Sequence, residues 1–446
     1  MATYLTRTPS STGNRDKWTF STWLKRSSLG GTHVFFAGGD SSASSFDAKF
    51  RSSDIIEVYN YLGGGYGAQL KTNRKFRDTA AWYHIVIVYD SANSTEAHRL
   101  RIYVNGEEET SFSTTNYPSL NEDSIINHAG SPTEVGRQQN GSDFFSGYLA
   151  DTILADGQAY APTTFGETDS TTGEWKPKNI SGVTFGTNGF HLKYANAGAM
   201  GTDSSGNNNT LTVNSVGTNP STTDTPSNNF ATLDVNNDRT QGGFTFSEGS
   251  LKVVTSGSNR NYAALTQAFT SGKWYMECRF TGGADSAVVG VCDMDDLNMT
   301  NTSSLGDNAN EIGVNATGAY EKNNVVTSGW AGTFTTNDVL GLCLDCDNNR
   351  FTLSKNGQFA DGSGNYDEAN PTAYLTYTAG NFMTLAVGER TNVGTATCQI
   401  NTGNPPYTIS SNSGNGNADA NGYGKFEYAV PSGYYAVCTR NINTYG

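Results

Sequence analysis

The chain has 446 residues, enough for two or three domains with separate hydrophobic cores. It carries 28 Lys and Arg against 42 Asp and Glu, a net charge of −14. This balance argues against proteins that bind nucleic acid or anionic membranes, because both classes use clusters of basic residues. Charged residues make up only 16% while glycine is abundant and aromatic residues reach 11%, a composition typical of turn-rich all-β proteins.

The N-terminal segment, MATYLTRTPSSTGNRDKWTF, lacks an apolar stretch long enough for a secretory signal. No segment of the chain approaches the roughly 18–20 consecutive apolar residues of a membrane-spanning helix. We therefore expect synthesis in a cytosol without export by the general secretory route, no insertion into a membrane, and cysteines that stay reduced.

A glycine turn, Gly63-Gly64-Gly65, separates two predicted strands in the early part of the chain. Tyr61 and Tyr66 lie on either side of this turn, and exposed aromatic rings can stack on the faces of sugars. We therefore name Tyr61 and Tyr66 as candidate ligand-binding residues. The alternative is that they flank an ordinary hairpin and cover its sheet.

A hairpin over residues 82–106 is the clearest element of the first half. Its first arm, Trp82 to Tyr89, is almost continuously apolar, which indicates a strand buried on both faces. Its second arm alternates and places Leu100, Ile102 and Val104 on one face. The Asn105-Gly106 pair that follows is typical of a tight turn with positive φ. The same order of apolar strand, turn, alternating strand and Asn-Gly returns at residues 338–357, which predicts two β-sandwich domains of related architecture.

Further strands complete each predicted domain. In the strand near residue 150, alternation predicts that Tyr148, Ala150 and Thr152 face the opposite side from Leu149, Asp151 and Ile153. Residues 1–195 are predicted to form the first sandwich and residues 196–243 a closing strand, Thr210 to Val216, followed by a polar linker with the boundary near Thr225. Residues 244–446 are predicted to form the second sandwich, ending in a C-terminal strand.

The six cysteines all lie in the second half, and two of them form the pattern Cys343-x-x-Cys346. Residues three apart on a strand point to opposite faces, so these two thiols are not expected to share a metal ion and are interpreted as small core residues. Asp345, Asp347 and Asn349 copy the start of an EF-hand loop, which makes calcium a possible ligand, although the glycine and distal glutamate of that loop are missing. Asp and Asn also favour turns, and the turn is the preferred interpretation.

Signals of catalysis are weak. The five histidines are scattered, and His84 and His191 are expected to be satisfied imidazoles on strands. The sequence contains neither a Gly-x-Ser-x-Gly elbow nor a phosphate-binding loop. Glu167-Thr168-Asp169 resembles the start of the Glu-x-Asp-x-x-Glu strand of laminarinase-type glycosidases, but the final glutamate is absent. We therefore predict no catalytic residues, no enzymatic activity and no resident cofactor.

Several long motifs resemble known families. WTFSTWLKR, AWYHIVIVYD, RLRIYVNGE and FFSGYLADTILADGQAY resemble the laminin-G/pentraxin branch of the concanavalin A-like jelly rolls. The continuation FGETDSTTGEWKPKNISG and the later DTPSNNFATLD resemble a module of structural proteins from marine tailed bacteriophages, commonly described as tail-fibre or lectin-like proteins. The second half, from SGKWYMECRF through VLGLCLDCDNNRFTLSKNGQ to PSGYYAVCTRN, is similar to the SPRY domain. The resemblance implies an all-β fold of two concanavalin A-like antiparallel jelly-roll sandwiches in tandem.

The resemblance also implies a function. The chain is expected to be a bacteriophage virion protein, exposed on the particle as a tail or capsid fibre and mediating weak multivalent attachment to host-surface carbohydrate. Its implied partners are other virion proteins, host carbohydrate and copies of itself, with no nucleic acid. Two alternatives stay open: a ligand-free capsid decoration or cement protein, and a polysaccharide-degrading enzyme on the same fold.

Overall fold

The computed structural model describes residues 3–41, 43–139, 141–215, 220–236, 243–255, 257, 260–295, 304–378, 382–390 and 394–446. The chain divides into two compact units, Met1–Ser221 and Thr222–Gly446. Each unit is built from antiparallel β-sheets, which confirms the predicted all-β fold with two sandwiches in tandem. None of the described helices is long and apolar enough to cross a membrane.

The division between the units falls close to the boundary predicted at Thr225. The predicted linker, residues 196–243, is shared between the two units, and its residues 216–219 and 237–242 lie outside the described part of the chain. The predicted closing strand is present as Thr212–Asn214 and pairs with the N-terminal strand of the first unit.

The first unit contains an eight-stranded sheet in the order β10-β6-β5-β4-β3-β11-β1-β16 and a six-stranded sheet in the order β15-β12-β2-β7-β8-β9. A small hairpin of β13 and β14 lies apart from both sheets. The strands are β1 (Tyr4–Arg7), β2 (Lys17–Arg26), β3 (His33–Ser41), β4 (Ser44–Phe50), β5 (Ile55–Leu62), β6 (Gly65–Lys75), β7 (Tyr83–Asp90), β8 (Leu100–Val104), β9 (Glu107–Glu108), β10 (Phe112–Asn116), β11 (Thr133–Val135), β12 (Gly147–Asp156), β13 (Gly166–Thr168), β14 (Trp175–Pro177), β15 (Phe190–Leu192) and β16 (Thr212–Asn214).

Aromatic side chains from both sheets fill the core of the first unit. Trp18 on β2 stacks on Tyr89 of β7 with ring centroids 5.5 Å apart and meets the ring of Phe46 from β4 edge to face at 5.0 Å. Phe20 stacks on Phe36 of β3 at 4.0 Å. Each of these fully buried rings contributes roughly 1.5–3 kcal/mol through the hydrophobic effect, so the aromatic core fixes the two sheets face to face.

Strand β7 is buried along its whole length, as its continuous apolar sequence predicted. One face contributes to the aromatic core. On the other face, Val86 and Val88 pack with Ile153 and Phe165 beneath the segment that follows β12. The predicted turn after β8 is also confirmed, because Asn105 and Gly106 both have positive φ, 51° and 85°.

The second unit contains a ten-stranded sheet and a six-stranded sheet, the latter in the order β19-β30-β21-β22-β23-β24. The path of the larger sheet is β17-β18-β31-β20-β25-β26-β27-β28, with β29 joined to β26 and β32 joined to β20. The strands are β17 (Thr245–Ser247), β18 (Lys252–Val254), β19 (Tyr262–Ala264), β20 (Lys273–Gly282), β21 (Ala287–Asp293), β22 (Ile312–Asn315), β23 (Tyr320–Lys322), β24 (Val325–Thr327), β25 (Val339–Asp345), β26 (Arg350–Lys355), β27 (Gln358–Ala360), β28 (Tyr366–Glu368), β29 (Leu375–Thr376), β30 (Met383–Glu389), β31 (Thr397–Asn401) and β32 (Tyr435–Ala436).

Helical structure is sparse among the described residues. One α-helix, α1 (Thr439–Tyr445), ends the chain, and short 3-10 turns occur at Glu96–His98, Pro162–Thr164, Ala284–Ser286 and Ser411–Gly414. The prediction of a C-terminal strand is therefore wrong beyond Ala436. The helix forms because Ile442 and Tyr445, spaced three residues apart, pack against the core, and the ring of Tyr445 stacks on Tyr435 at 3.9 Å.

The strict alternation predicted for β12 is also wrong. The pairing of β12 with β2 shifts register between Ala150 and Ile153, so one extra residue is inserted as a β-bulge. Asp151 takes the left-handed conformation there, with φ of 45°. Beyond the bulge, Ile153 lies on the outer face with Val86 instead of opposite Ala150.

The second hairpin predicted from the repeated pattern is confirmed. It consists of β25 and β26, and the turn that follows β26 contains Asn356 and Gly357 with φ of 49° and 84°. All six cysteines are buried, and none of them forms a disulfide. Cys346 belongs to the core between the sheets, whereas Cys343 packs in a separate cluster with Tyr275 and Phe426. The two thiols therefore lie on opposite sides of the sheet, as their spacing predicted.

Candidate functional site

Polar and aromatic side chains cover the side of the eight-stranded sheet that faces away from the core. Side chains alternate between the two sides of β4 and β5. Phe46 and Val58 are buried in the core, so the residues next to them in the sequence point to the other side of the sheet. We call this surface the polar face. Its members are Asp47, Lys49, Glu57, Tyr59, Tyr61, Tyr66, Gln69, Lys71, Glu134 and Arg137.

Strand register aligns the polar face in rows. Asp47 on β4 lies opposite Tyr59 on β5, and Tyr59 lies opposite Gln69 on β6. One step along, Glu57 lies between Lys49 and Lys71 in the same way. Directly opposed side chains on one face of a sheet are in contact, so Glu57 meets donors on both neighbouring strands and Asp47 meets the Tyr59 hydroxyl on β5.

Asp47 is the hub of the first row and has no exposed surface. Its Oδ2 accepts hydrogen bonds from the hydroxyl of Tyr59, from Lys49 Nζ at 3.2 Å and from Gln138 Nε2 at 2.7 Å. Burial, together with the neighbouring Asp47 carboxylate, raises the pKa of Tyr59 well above its ordinary value. The Tyr59 hydroxyl therefore stays protonated and acts as a donor.

Glu57 is the hub of the second row and is only 2% exposed. It accepts hydrogen bonds from Gln69 Nε2 at 2.7 Å and from an Arg51 guanidinium nitrogen at 3.1 Å, and Lys71 Nζ lies 3.5 Å away. Both carboxylates are thus buried and hydrogen-bonded to side chains of the protein, while Asp47 Oδ1 has no partner among the described residues. An incoming molecule would meet Lys71 and Tyr66 of this face and the adjacent Arg51, and not the two acids.

The tyrosines form the exposed end of the polar face. Tyr66 is 52% exposed, and its ring meets those of Tyr61 and Tyr59 edge to face at centroid distances of 5.0 Å and 5.5 Å. The Tyr61 hydroxyl donates to the carbonyl oxygen of Gly64 at 2.8 Å, inside a turn where Gly63 and Gly64 have positive φ. The two candidate residues are therefore paired across one hairpin, and the turn holds the Tyr66 ring towards solvent.

Sequence reasoning missed the opposite end of this face. Glu134 on β11 receives two hydrogen bonds from the Arg137 guanidinium, at 2.5 Å and 2.7 Å. That guanidinium also lies 3.6 Å from the centroid of the Tyr4 ring, a cation–π contact. Nothing in the local sequence signals this cluster, because it depends on β1 and β11 being neighbours in the sheet.

The candidate calcium residues lie at the end of β25 and in the turn that joins it to β26. Asp345 is fully buried, and its carboxylate contacts Asn348 through both oxygens and Arg350 Nε at 2.8 Å. Asp347 Oδ1 accepts the backbone N–H of Gly272 at 2.7 Å, and Asn349 takes the left-handed conformation with φ of 52°. These contacts account for the three residues as turn formers. Within the described ranges, no group of three or more His, Cys, Asp or Glu side chains is arranged to hold a metal ion.

His84 on β7 is a buried imidazole with both nitrogens bonded. Its Nδ1 accepts the indole N–H of Trp175 at 2.9 Å, so Nε2 carries the ring proton and donates to Ser21 Oγ at 2.9 Å. Trp23 stacks on the imidazole at 4.6 Å. Burial lowers the pKa of His84 to about 3, so this histidine is a neutral structural connector rather than an acid–base group.

Trp175 fastens the β13–β14 hairpin to the six-stranded sheet. Its indole ring lies against Gly106 and Gly166, where a Cβ atom would come within 2.7 Å and 2.6 Å of the ring. Only glycine permits this approach at both positions. The hairpin contains Glu167 and Asp169, the nearest match to a glycosidase motif, and both carboxylates contact Lys176.

Glu277 on β20 is a fully buried carboxyl group of the second unit. It accepts the backbone N–H groups of Glu427 and Tyr428 at 2.8 Å and 2.7 Å, and also the side chains of Asn401 and Tyr407. Burial raises its pKa to about 7. These bonds tie the chain near residue 427 to the ten-stranded sheet, so the group has a structural role.

The comparisons with known proteins agree with this architecture. A family model described as the concanavalin A-like lectin/glucanases superfamily, Laminin_G_3, matches residues 2–158. The first unit has a concanavalin A-like fold. No curated protein matches the sequence.

Three solved structures illustrate the structural similarity. The SPRY domain of human HERC1 is 15% identical, with a TM-score of 0.25, and the match covers 34% of this chain and 87% of that one. Domain 4 of AbnA, an extracellular arabinanase from Geobacillus stearothermophilus in complex with arabinotriose, is 15% identical with a TM-score of 0.27, covering 35% and 67%. The stonustoxin structure is 18% identical with a TM-score of 0.30, covering 38% of this chain but only 27% of that one. At these identities and scores the similarity carries no information about ligands.

Proposed function

We propose that the first unit binds carbohydrate without catalysis and that the polar face is its binding surface. The observation that carries the proposal is the exposed ring of Tyr66. It packs against Tyr59 and Tyr61 and lies beside the charged and amide side chains of the polar face. Saccharides are bound by stacking of their C–H faces on aromatic rings and by hydrogen bonds from fixed polar groups. The polar face offers both within one sheet.

The buried state of Asp47 and Glu57 supports binding rather than hydrolysis. Glycoside hydrolysis requires two carboxyl groups that reach the scissile bond from either side. Asp47 and Glu57 are 0% and 2% exposed and are covered by their own donors, so neither can approach a substrate in this arrangement. The polysaccharide-degrading alternative therefore lacks a candidate acid–base pair on this surface.

Replacing Tyr66 with alanine should abolish most glycan binding while leaving the fold intact, because the ring is half exposed and outside the core. Loss of one stacking ring is expected to weaken binding by about 1–2 kcal/mol, roughly tenfold. The measurement is a glycan array followed by calorimetric titration of the best ligand. Leu120→Ala is the matched control, since Leu120 is 56% exposed in the same unit but lies outside the polar face. Equal losses in both variants, or none in Tyr66→Ala, would contradict the proposal.

We further propose that the protein is displayed on the particle of a tailed bacteriophage, as a tail or capsid fibre that attaches to host-surface glycan. The support is the resemblance of the segment from Phe165 to Gly182 and of the later Asp224 to Asp234 motif to phage structural proteins. In the first unit, the segment from Phe165 to Gly182 contains the β13–β14 hairpin, which Trp175 fastens to the six-stranded sheet. Many copies on one particle would combine weak sites into firm attachment.

The copy number in purified particles tests this placement, measured by quantitative mass spectrometry against the major capsid protein. A few to a few dozen copies would favour host recognition at the tail or vertices, and hundreds would favour capsid decoration. Absence from the particles would refute the virion proposal and return attention to the enzyme alternative.

A further inference from the structure

A solvent-open cavity of about 370 Å³ lies in the first unit, away from the polar face. It is formed at the outer side of the six-stranded sheet, where β12 and β15 meet beneath the segment that follows β14. We call it the β12–β15 pocket. The lining residues that matter here are Asp151, Lys178, Ile180, Phe185, His191 and Lys193. Its volume is at the lower end of the usual range for small-ligand sites, enough for one or two sugar units.

A β-bulge builds the polar floor of the pocket. The extra residue in β12 is Asp151, held in the left-handed conformation, which directs its carboxylate to His191 on β15 with Oδ1 3.1 Å from Nε2. Non-glycine residues in this conformation cost free energy and cluster at functional sites, where bulges re-aim a side chain. The ring of Phe185 stacks on the imidazole with the two centroids 6.2 Å apart. The histidine is thereby fixed in orientation by an acid and a ring.

This arrangement leaves hydrogen-bonding capacity for a ligand. Nε2–H donates to Asp151, so in the neutral form of the imidazole Nδ1 keeps a lone pair, for which no partner occurs among the residues that the structure describes. The Asp151 side chain is 39% exposed and can accept further hydrogen bonds. Both groups suit the hydroxyls of a sugar.

The charge of the pocket is opposite to that of the chain. Lys178 and Lys193 line it, both exposed, against the single carboxylate of Asp151. The nearby Asp203 is occupied by internal donors, including the backbone N–H groups of His191 and Asn209. A basic pocket in a protein of net charge −14 selects for an anionic ligand. Ile180 and Phe185 add an apolar wall for the C–H face of a ring.

We propose that the β12–β15 pocket is a second saccharide site that takes an acidic sugar of the uronic acid class. The sugar carboxylate would meet Lys193 and Lys178, while its hydroxyls would bond to Asp151 and His191. The site is independent of the polar face, so either can fail without the other.

The test is saturation-transfer difference NMR of the full chain with D-glucuronate and with D-glucose, which differ only at the C6 carboxylate. Glucuronate should bind more tightly than glucose, and Lys193→Gln should weaken glucuronate binding by about fivefold to tenfold through loss of one charge-assisted contact. Asp151→Asn should weaken both sugars, because the imidazole loses its anchor. Lys75→Gln, which removes an exposed lysine from β6, should leave glucuronate binding unchanged.

Equal affinity for the two sugars, or an unchanged affinity in Lys193→Gln, would overturn the proposal. A folded Asp151→Asn variant that binds both sugars as the wild type does would also overturn it. Loss of glucuronate binding in Tyr66→Ala would move the site to the polar face. Since the Tyr66→Ala variant tests the polar face and the Lys193→Gln variant tests the β12–β15 pocket, failure of that proposal and failure of this one are distinguishable.

Discussion

Replacing His84 with glutamine should make the first unit less sensitive to acid. Burial lowers the pKa of His84 to about 3 in the folded protein, against an ordinary value of 6.5. At a pH between these two pKa values the unfolded chain binds a proton at His84 and the folded chain does not, so the free energy of unfolding falls as the pH falls. At about 1.4 kcal/mol for each unit of pKa difference, the loss between pH 6.5 and pH 3 approaches an upper limit of about 5 kcal/mol.

Hydrogen exchange of the β7 peptide in the intact chain measures this effect, after correction for the intrinsic exchange rate at each pH. In the wild type, protection of Tyr83–Asp90 should fall steeply from pH 6.5 to pH 4. In His84→Gln the fall should be much shallower, since glutamine has no proton to gain. His98→Gln is the control, because His98 is an exposed histidine of the same unit. If His84→Gln keeps the full wild-type difference between the two pH values, other groups cause the acid sensitivity.

The prediction depends on the difference between two pH values and not on the absolute stability of the variant. Glutamine can accept one hydrogen bond and donate another, but it cannot stack between Trp23 and Trp175 as the imidazole does. Some stability at neutral pH is therefore lost for reasons of packing. That loss is the same at both pH values and cancels in the comparison.

The regular parts of this fold could be predicted from the sequence because their signals are local. The apolar run of β7 and the alternation of β8 follow from the two-residue period of a strand, and Asn105-Gly106 follows from the need for positive φ at a tight turn. For the same reason Tyr61 and Tyr66 could be placed beside each other. The three glycines between them predict a tight turn, which reverses the chain direction between the two tyrosines.

The polar face could not be predicted, because its contacts join strands that are distant in the sequence. Asp47 meets Gln138, and this contact requires β11 to lie beside β3 rather than beside the strands that follow it. Periodicity shows which face of a strand a residue occupies but not which strands are neighbours. The bulge at Asp151 is similar, since an inserted residue leaves no mark in the amino-acid pattern of β12. The β12–β15 pocket was invisible for that reason.

Glutamine in place of Glu277 should remove a pH dependence of the opposite sign from the second unit. Burial raises the pKa of Glu277 to about 7, against an ordinary value of 4.5. Between these values the folded chain binds a proton that the unfolded chain lacks, so the free energy of unfolding falls as the pH rises. The contribution is fully present below pH 4.5 and is lost above pH 7, with an upper limit of about 3 kcal/mol.

Protection of the β20 amides, Lys273–Gly282, in the intact chain should therefore decrease from pH 5 to pH 7.5 in the wild type and change less in Glu277→Gln. Asp367→Asn, an exposed carboxylate in the same unit, is the control. Carbon-13 NMR of labelled glutamate gives a second measurement that needs no variant, since one carboxyl signal should titrate near pH 7. A Glu277 signal that titrates near 4.5 would contradict the prediction. The signs for His84 and Glu277 differ because burial always penalises the charged form, which is the protonated form of histidine and the deprotonated form of glutamate.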